Sequence, residues 1–151
     1  MNDKKMFERF KALTEIAEFS CLTTINEKGY PETRAMLNLR NPGMFPNLKE
    51  FFKNNFTCFF SSNTSSRKLK HISKADKSSV YYVNPQTFEG LLLKGKIEVI
   101  KDKRLKKDFW QNNWSMYYNG GVNDPDYTLL KFTSQEYNYY NGNLEVKSGT
   151  F

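Results

Sequence analysis

The stretch Thr87–Ile100 most restricts the fold, because it reads as one long strand interrupted by two glycines, Gly90 and Gly95. A glycine inside a strand marks a bulge or the close approach of another backbone. Bends of this kind let a sheet curl on itself, so the pattern predicts a barrel rather than a flat layer. Glu18–Asn26, Tyr30–Leu39, Phe56–Phe60, Ser78–Val83, Tyr127–Thr133, Glu136–Tyr140 and Asn143–Lys147 supply further extended segments bounded by turn residues. Glu27-Lys28-Gly29 closes the first pair into a hairpin, and Asn141-Gly142 is the two-residue signal for another. Helices are few. Residues 3 to 17 carry Met6, Phe7, Phe10, Leu13, Ile16 and Ala17 at helical spacing and predict an amphipathic lid. A short helix begins at Pro46, and Asp102–Trp114 reads as one helix presenting Trp110 and Trp114 to the same side. The sum is an α+β fold, a barrel of six or seven mostly antiparallel strands with short flanking helices.

A chain of 151 residues needs one domain, 1–151, with no linker or repeat. The net charge of +7 invites an acidic ligand or a nucleic acid. The densest basic stretch, Lys101–Lys107, is diluted by Glu98, Asp102 and Asp108, which argues for a solvated helix face and against a nucleic-acid stripe. Cys21 and Cys58 lie in apolar runs without a CxxC and are expected to be free, buried thiols of a reducing compartment. The single histidine, His71, precludes a His-rich metal site and argues against His-assisted nucleophilic catalysis; it is read as a helix surface residue, and Asp124-Pro125-Asp126 as a turn. No apolar run approaches the roughly 20 residues of a membrane helix. These features together predict a cytoplasmic protein.

Phe56–Lys68 carries the clearest hint of chemistry. An apolar strand empties into Ser61-Ser62-Asn63-Thr64-Ser65-Ser66, after which a helix opens with Arg67 and Lys68. Ser66 suits the N-cap, where its hydroxyl would accept a backbone N–H. Cations are unusual at the positive end of a helix dipole, so a phosphate seated on the free amides would account for them. A capped surface helix with solvated side chains would account for them equally well. Arg34 sits mid-strand, sharing a face with Glu32, Met36 and Asn38 while Thr33, Ala35, Leu37 and Leu39 take the other. It is either an outward arginine paired with Glu32 or a guanidinium that meets an anion.

In order and spacing the chain resembles the pyridoxamine 5′-phosphate oxidase-like, FMN-binding split-barrel superfamily, in particular its short general-stress-protein branch. The segments that carry the likeness are Leu22–Ile25, Gly29-Tyr30-Pro31, Thr33–Met36, Phe60–Lys68, Gly90–Gly95, Trp110, Asp124–Tyr127 and Tyr139-Tyr140. The resemblance implies FMN held in a groove between two protomers of a homodimer. By position, Arg34 and Lys68 would contact its phosphate with Ser66 and Arg67 at the helix entrance, and Ser61 and Ser62 would line the ribityl chain. Ala35, Met36 and Leu37 would run along the flavin ring, with Trp110 arriving from the partner chain. True pyridoxamine phosphate oxidases carry a C-terminal Arg and His segment that Ser148-Gly149-Thr150-Phe151 does not match. The expectation is therefore an FMN-dependent oxidoreductase acting on another small molecule, with a nicotinamide nucleotide as a candidate electron donor. A non-catalytic module that stores or senses FMN, and a barrel that binds single-stranded nucleic acid, are the competing readings.

Overall fold

The computed structural model describes residues 3–151. The chain runs α1 (Asp3–Ile16), β1 (Phe19–Ile25), β2 (Pro31–Leu37), a 3₁₀ helix (Pro46–Phe52), β3 (Cys58–Asn63), α2 (Arg67–Lys74), β4 (Lys77–Asn84), β5 (Glu89–Ile100), α3 (Lys103–Phe109), two further 3₁₀ turns (Asn112–Met116 and Gly121–Asn123), β6 (Tyr127–Tyr140) and β7 (Val146–Thr150). All seven strands form one antiparallel sheet in the order β2-β1-β4-β5-β6-β3, with β7 added beside β6. The predicted α+β split barrel is the observed architecture.

The curl comes from the long strands. β6 is continuous where the sequence predicts two strands, because Ser134 and Glu136 pair with Gly95 and Lys94 and leave Gln135 as the extra residue of a bulge. Gly95 is required there: a Cβ would lie 2.0 Å from the Thr133 carbonyl oxygen. The bulge lets β6 pair with β3 through its first half and with β7 through its second. β7 begins at Val146 rather than Asn143, since Asn143-Leu144 belong to the turn and Leu144 has a positive φ of 66°.

α1 covers the open side of the barrel as expected. Phe10 and Leu13 are buried on its inner stripe, with the Phe10 ring packed against Tyr137 and Tyr139 at centroid distances of 4.9 and 5.2 Å. Complete burial of one such ring contributes about 1.5–3 kcal/mol. Side chains beyond β2 satisfy the last carbonyls of this helix: Asn38 Nδ2 donates to Thr14 and Ala17 at 2.7 and 2.8 Å, and Asn41 Nδ2 to Ala17 at 3.1 Å. At the other end of the sheet Arg9 grips the buried Glu89, which also accepts from Tyr139 at 2.7 Å.

β3 separates two cores. Phe60 belongs to the barrel core, and Phe59, one residue earlier, packs at 4.4 Å on Phe109 in a second core with Trp114 and Tyr127. The predicted helix Asp102–Trp114 is shorter: Asp102 caps it through the amides of Arg104 and Leu105, but Gln111 is extended and the helix ends at Phe109. Trp110 and Trp114 still meet edge to face at 6.0 Å, across the break rather than along one helix. Both cysteines are free; Cys58 is buried, while Cys21 is only half-buried, on the outer face of β1.

Candidate functional site

β2 ends the sheet path, so one of its edges has no strand partner among the described residues. The bonds that bracket the β1–β2 pair, Asn26 N–H to the Tyr30 carbonyl and Asn38 N–H to the Glu18 carbonyl, put the even-numbered residues in the paired positions. The backbone groups of Thr33, Ala35 and Leu37 therefore point to the free edge. The Ala35 and Leu37 side chains lie on the exposed face of the strand, whereas Met36 is buried and Arg34 shares its inward side.

Arg34 is thus not an outward arginine. It is half-buried, and its Nη1 donates to Thr24 Oγ1 at 2.8 Å and to the Leu22 carbonyl at 3.2 Å. Glu32, the partner an outward arginine would use, pairs with Arg67 and accepts from Asn26 Nδ2 at 2.9 Å. Those contacts, the Asn26 bond foremost and Arg67 after it, hold the Glu32 carboxyl below its ordinary range.

Across from Arg34, Lys68 reaches back from the first turn of α2 to β3 and donates to the buried Ser62 Oγ at 2.9 Å, and the Ser66 hydroxyl lies 3.4 Å from the same oxygen. Burial lowers the pKa of both Lys68 and Arg34, and the positive charge of Arg34 lowers that of Lys68 further. Neither cation forms an ion pair among the described residues. Two half-desolvated cations that repel each other are destabilising until an anion arrives. The predicted cap differs in one respect. Ser66 occupies the N-cap but makes no side-chain cap bond, its hydroxyl being turned toward Ser62, and no backbone carbonyl meets the amides of Arg67 and Lys68. Among the described residues the hydroxyls, amides and cations of this anion site make no direct bond to a carboxylate, although the Glu32 charge acts on Arg34 from beyond ion-pair distance.

The turn itself is held from outside. Asp126 accepts from Asn63 Nδ2 at 2.6 Å and from the Ser65 amide at 2.9 Å, which keeps its carboxyl below the usual range, and the Asp126 carbonyl accepts from the Thr64 amide at 2.8 Å. Asp124-Pro125-Asp126 is a turn, as read, whose second aspartate clamps the loop that carries the site.

His71 departs from expectation. It is buried, with Nδ1 2.9 Å from Thr24 Oγ1 and Nε2 3.6 Å from Glu32. An arginine N–H can only donate, so Thr24 accepts from Arg34, and its hydroxyl is shared in a hydrogen bond with His71 Nδ1. The other ring nitrogen, Nε2, faces Glu32. One polar chain runs Arg34, Thr24, His71, Glu32, Arg67, and it fixes the guanidinium that the site depends on. Sequence reading missed Thr24 and His71; the only available signal was a threonine in register with Arg34's face of the hairpin.

Of the residues the sequence nominated, Arg34, Ser62, Ser66 and Lys68 converge. Arg67 is at the helix entrance, but its guanidinium is exposed and spent on Glu32. Ser61 alternates to the opposite side of β3 from Ser62, toward the second core. Met36 points inward, and Ala35 and Leu37 offer backbone at the free edge. Trp110 lies half-buried against Tyr127, at 5.1 Å, outside the Arg34–Lys68 group of its own protomer.

A family model described as pyridoxamine 5′-phosphate oxidase like matches residues 10–149. The chain belongs to the pyridoxamine 5′-phosphate oxidase-like family. Its fold superposes on a protein from Clostridium acetobutylicum related to general stress protein 26 of Bacillus subtilis (pyridoxinephosphate oxidase family), with a TM-score of 0.81 and 31% identity over 99% of this chain and 97% of the other. General stress protein 26 from Bacillus anthracis is similar at a TM-score of 0.73 and 17% identity, covering 97% and 98% of the two chains. A heme binding protein from Mycobacterium smegmatis shares the fold at 0.65 and 12% identity, over 93% of this chain and 55% of its own. No curated protein matches the sequence. Within this oxidase-like family, the general-stress-protein likeness expected from the sequence is the one found. No helix among the described residues is long and apolar enough to cross a membrane.

Proposed function

We propose that the protein binds FMN and acts as a flavin-dependent oxidoreductase on a small molecule. The observation that carries this reading is the pair of half-buried cations, Arg34 and Lys68, facing Ser62, Ser66 and the first amides of α2 without a carboxylate between them. A phosphate dianion suits that donor set, and a neutral ligand does not. The free edge of β2 supports the rest: the backbone N–H and C=O groups of Ala35 and Leu37 match the alternating donors and acceptors on the polar edge of an isoalloxazine. Arg67 contributes its amide in this arrangement, its guanidinium being held by Glu32. Bound FMN would supply the electron and hydride chemistry, while the chain positions the phosphate, binds the ring edge and excludes water.

A homodimer completes the groove. Phe19, Leu37, Tyr81 and Val83 are exposed on one outer face of β1, β2 and β4, where Phe19 pairs with Leu37 and Cys21 with Tyr81. An apolar patch of this kind is characteristic of an interface. The Trp110 of a second copy is the proposed outer wall for the ring.

Titration of the purified protein with FMN and with riboflavin tests the phosphate assignment. Arg34→Met and Lys68→Met should each weaken FMN by about 10–100-fold, the worth of one charge-assisted bond, while riboflavin affinity barely changes. Equal losses for the two ligands would refute it. Bound flavin that a reduced nicotinamide nucleotide cannot bleach would favour the storage or sensing role over turnover.

A further inference from the structure

A sizeable cavity lies away from this site, between the start of α1, the link from the 3₁₀ helix to β3, and the bulge of β6. It measures about 780 Å³, within the range of small-molecule sites, roughly 300–1,000 Å³. Phe7, Phe52, Phe56 and Phe151 form its apolar walls, with the rings of Phe56 and Phe151 5.0 Å apart and Phe7 6.1 Å from each.

Arg40 lines the same cavity and is 3% exposed. Its Nη1 donates to the Thr57 carbonyl at 2.7 Å and its Nη2 to that of Phe52 at 3.5 Å, but Nε has no partner and no carboxylate pairs with the group. The guanidinium rests over the rings of Phe52 and Phe56, at 5.0 and 5.7 Å. Arg9 and Arg67 each have a glutamate, and Arg104 is solvated. Among the described arginines, only Arg34 and Arg40 are shielded from water without a carboxylate in ion-pair contact. The first marks the proposed phosphate site. The second stands at an apolar cavity whose lining carries Lys4, Lys11 and Lys53 and the side-chain carboxylate of Glu8; Lys11 and Lys53 also form exposed, solvent-screened pairs with Glu15 at 3.9 Å and Glu50 at 3.7 Å.

We propose that this cavity binds an apolar monoanion, an aromatic or medium-chain aliphatic carboxylate, with its hydrocarbon part among the phenylalanines and its carboxylate toward the arginine and the rim lysines. The apolar walls disfavour a dianion, whose desolvation one buried guanidinium would not offset, and the cations disfavour a neutral hydrocarbon. The site is independent of the flavin reading.

Calorimetric titration of the full chain with decanoate and with decanol tests the proposal. Decanoate should bind at one per chain and about tenfold or more tighter than decanol. Phe151→Asp, at a half-exposed wall position, and Lys53→Glu, at the rim, should each weaken decanoate several-fold without unfolding the protein, as circular dichroism would verify. Arg34→Met should leave decanoate binding unchanged. Failure of the folded protein to bind decanoate saturably, equal affinity for decanol, or indifference to both cavity variants would overturn the assignment.

Discussion

Replacing Thr24 with valine removes one oxygen from the middle of the chain that holds Arg34, at nearly constant side-chain volume. Thr24 is 1% exposed, so water cannot substitute for the lost group. Two bonds go: the one accepted from Arg34 Nη1 at 2.8 Å and the one shared with His71 Nδ1 at 2.9 Å. Arg34 keeps only the longer bond to Leu22, and the buried His71 nitrogen loses its partner. A bond to a charged group contributes about 1.5–3 kcal/mol, and an orphaned buried polar atom costs about 1–3 kcal/mol. Because the two effects share an atom, the expected loss is about 2–4 kcal/mol rather than their full sum. In a domain of this size that is a fall in Tm of about 5–15 °C. Thr23→Val is the control. Thr23 bonds Thr33 Oγ1 at 2.7 Å on the exposed side of the same hairpin and should cost less than about 1 kcal/mol. Urea denaturation of the two variants measures both. The polar chain through His71 would be refuted if Thr24→Val were no less stable than Thr23→Val.

Other consequences are equally direct. The bond from Arg9, and after it those from Tyr139 and Thr87, hold the Glu89 carboxyl below its ordinary range of roughly 4.3. The stabilisation it provides is complete above that range and is lost as pH falls through the depressed value. Glu89→Gln should therefore be less stable than the parent at pH 7 and approach it in acid, which urea midpoints across the acid range would reveal; a constant difference would contradict the assignment. Gly95→Ala should cost about 3 kcal/mol or more, because its Cβ meets the rigid Thr133 carbonyl at 2.0 Å. Gly90→Ala should cost less than Gly95→Ala, since the Cβ there meets the hydroxyl end of the Tyr81 side chain rather than rigid backbone, and comparing the two variants by urea denaturation checks the order. Tyr81→Asp on the outer face should shift the molecular mass by light scattering from dimer to monomer, and an unchanged mass would remove that face as the interface.

What could be read from the sequence was local. The hydroxyl-rich turn after Phe60, the cations at the entrance of α2 and the arginine set in a strand all declare themselves within a dozen residues. Gly95 of β5 likewise announced the bulge, whereas Gly90 lies in regular register against the Tyr81 side chain. The rest depends on partners far apart in the chain. Whether Lys94-Gly95 faces a gap between two strands or a bulge in one is decided by Gln135, some forty positions later. His71 lies on a short helix whose inward face is chosen by the hairpin beneath it, and its burial follows from Thr24, 47 residues earlier. Arg67 looked available for an anion because Glu32 belongs to a different strand. Arg40 sits beside the Asn41-Pro42-Gly43 break and gave no signal at all, since its isolation is a property of the two cores that close around it.

The central claim is that the group formed by Arg34, Lys68, Ser62 and Ser66 is the phosphate end of a flavin site. The absorbance spectrum of the purified protein, recorded before and after incubation with FMN and desalting, tests it most directly. A yellow protein with the two flavin bands is expected, releasing FMN, rather than riboflavin, on denaturation. A protein that stays colourless after incubation, or one that instead takes up haem with a Soret band and rejects FMN, would contradict it.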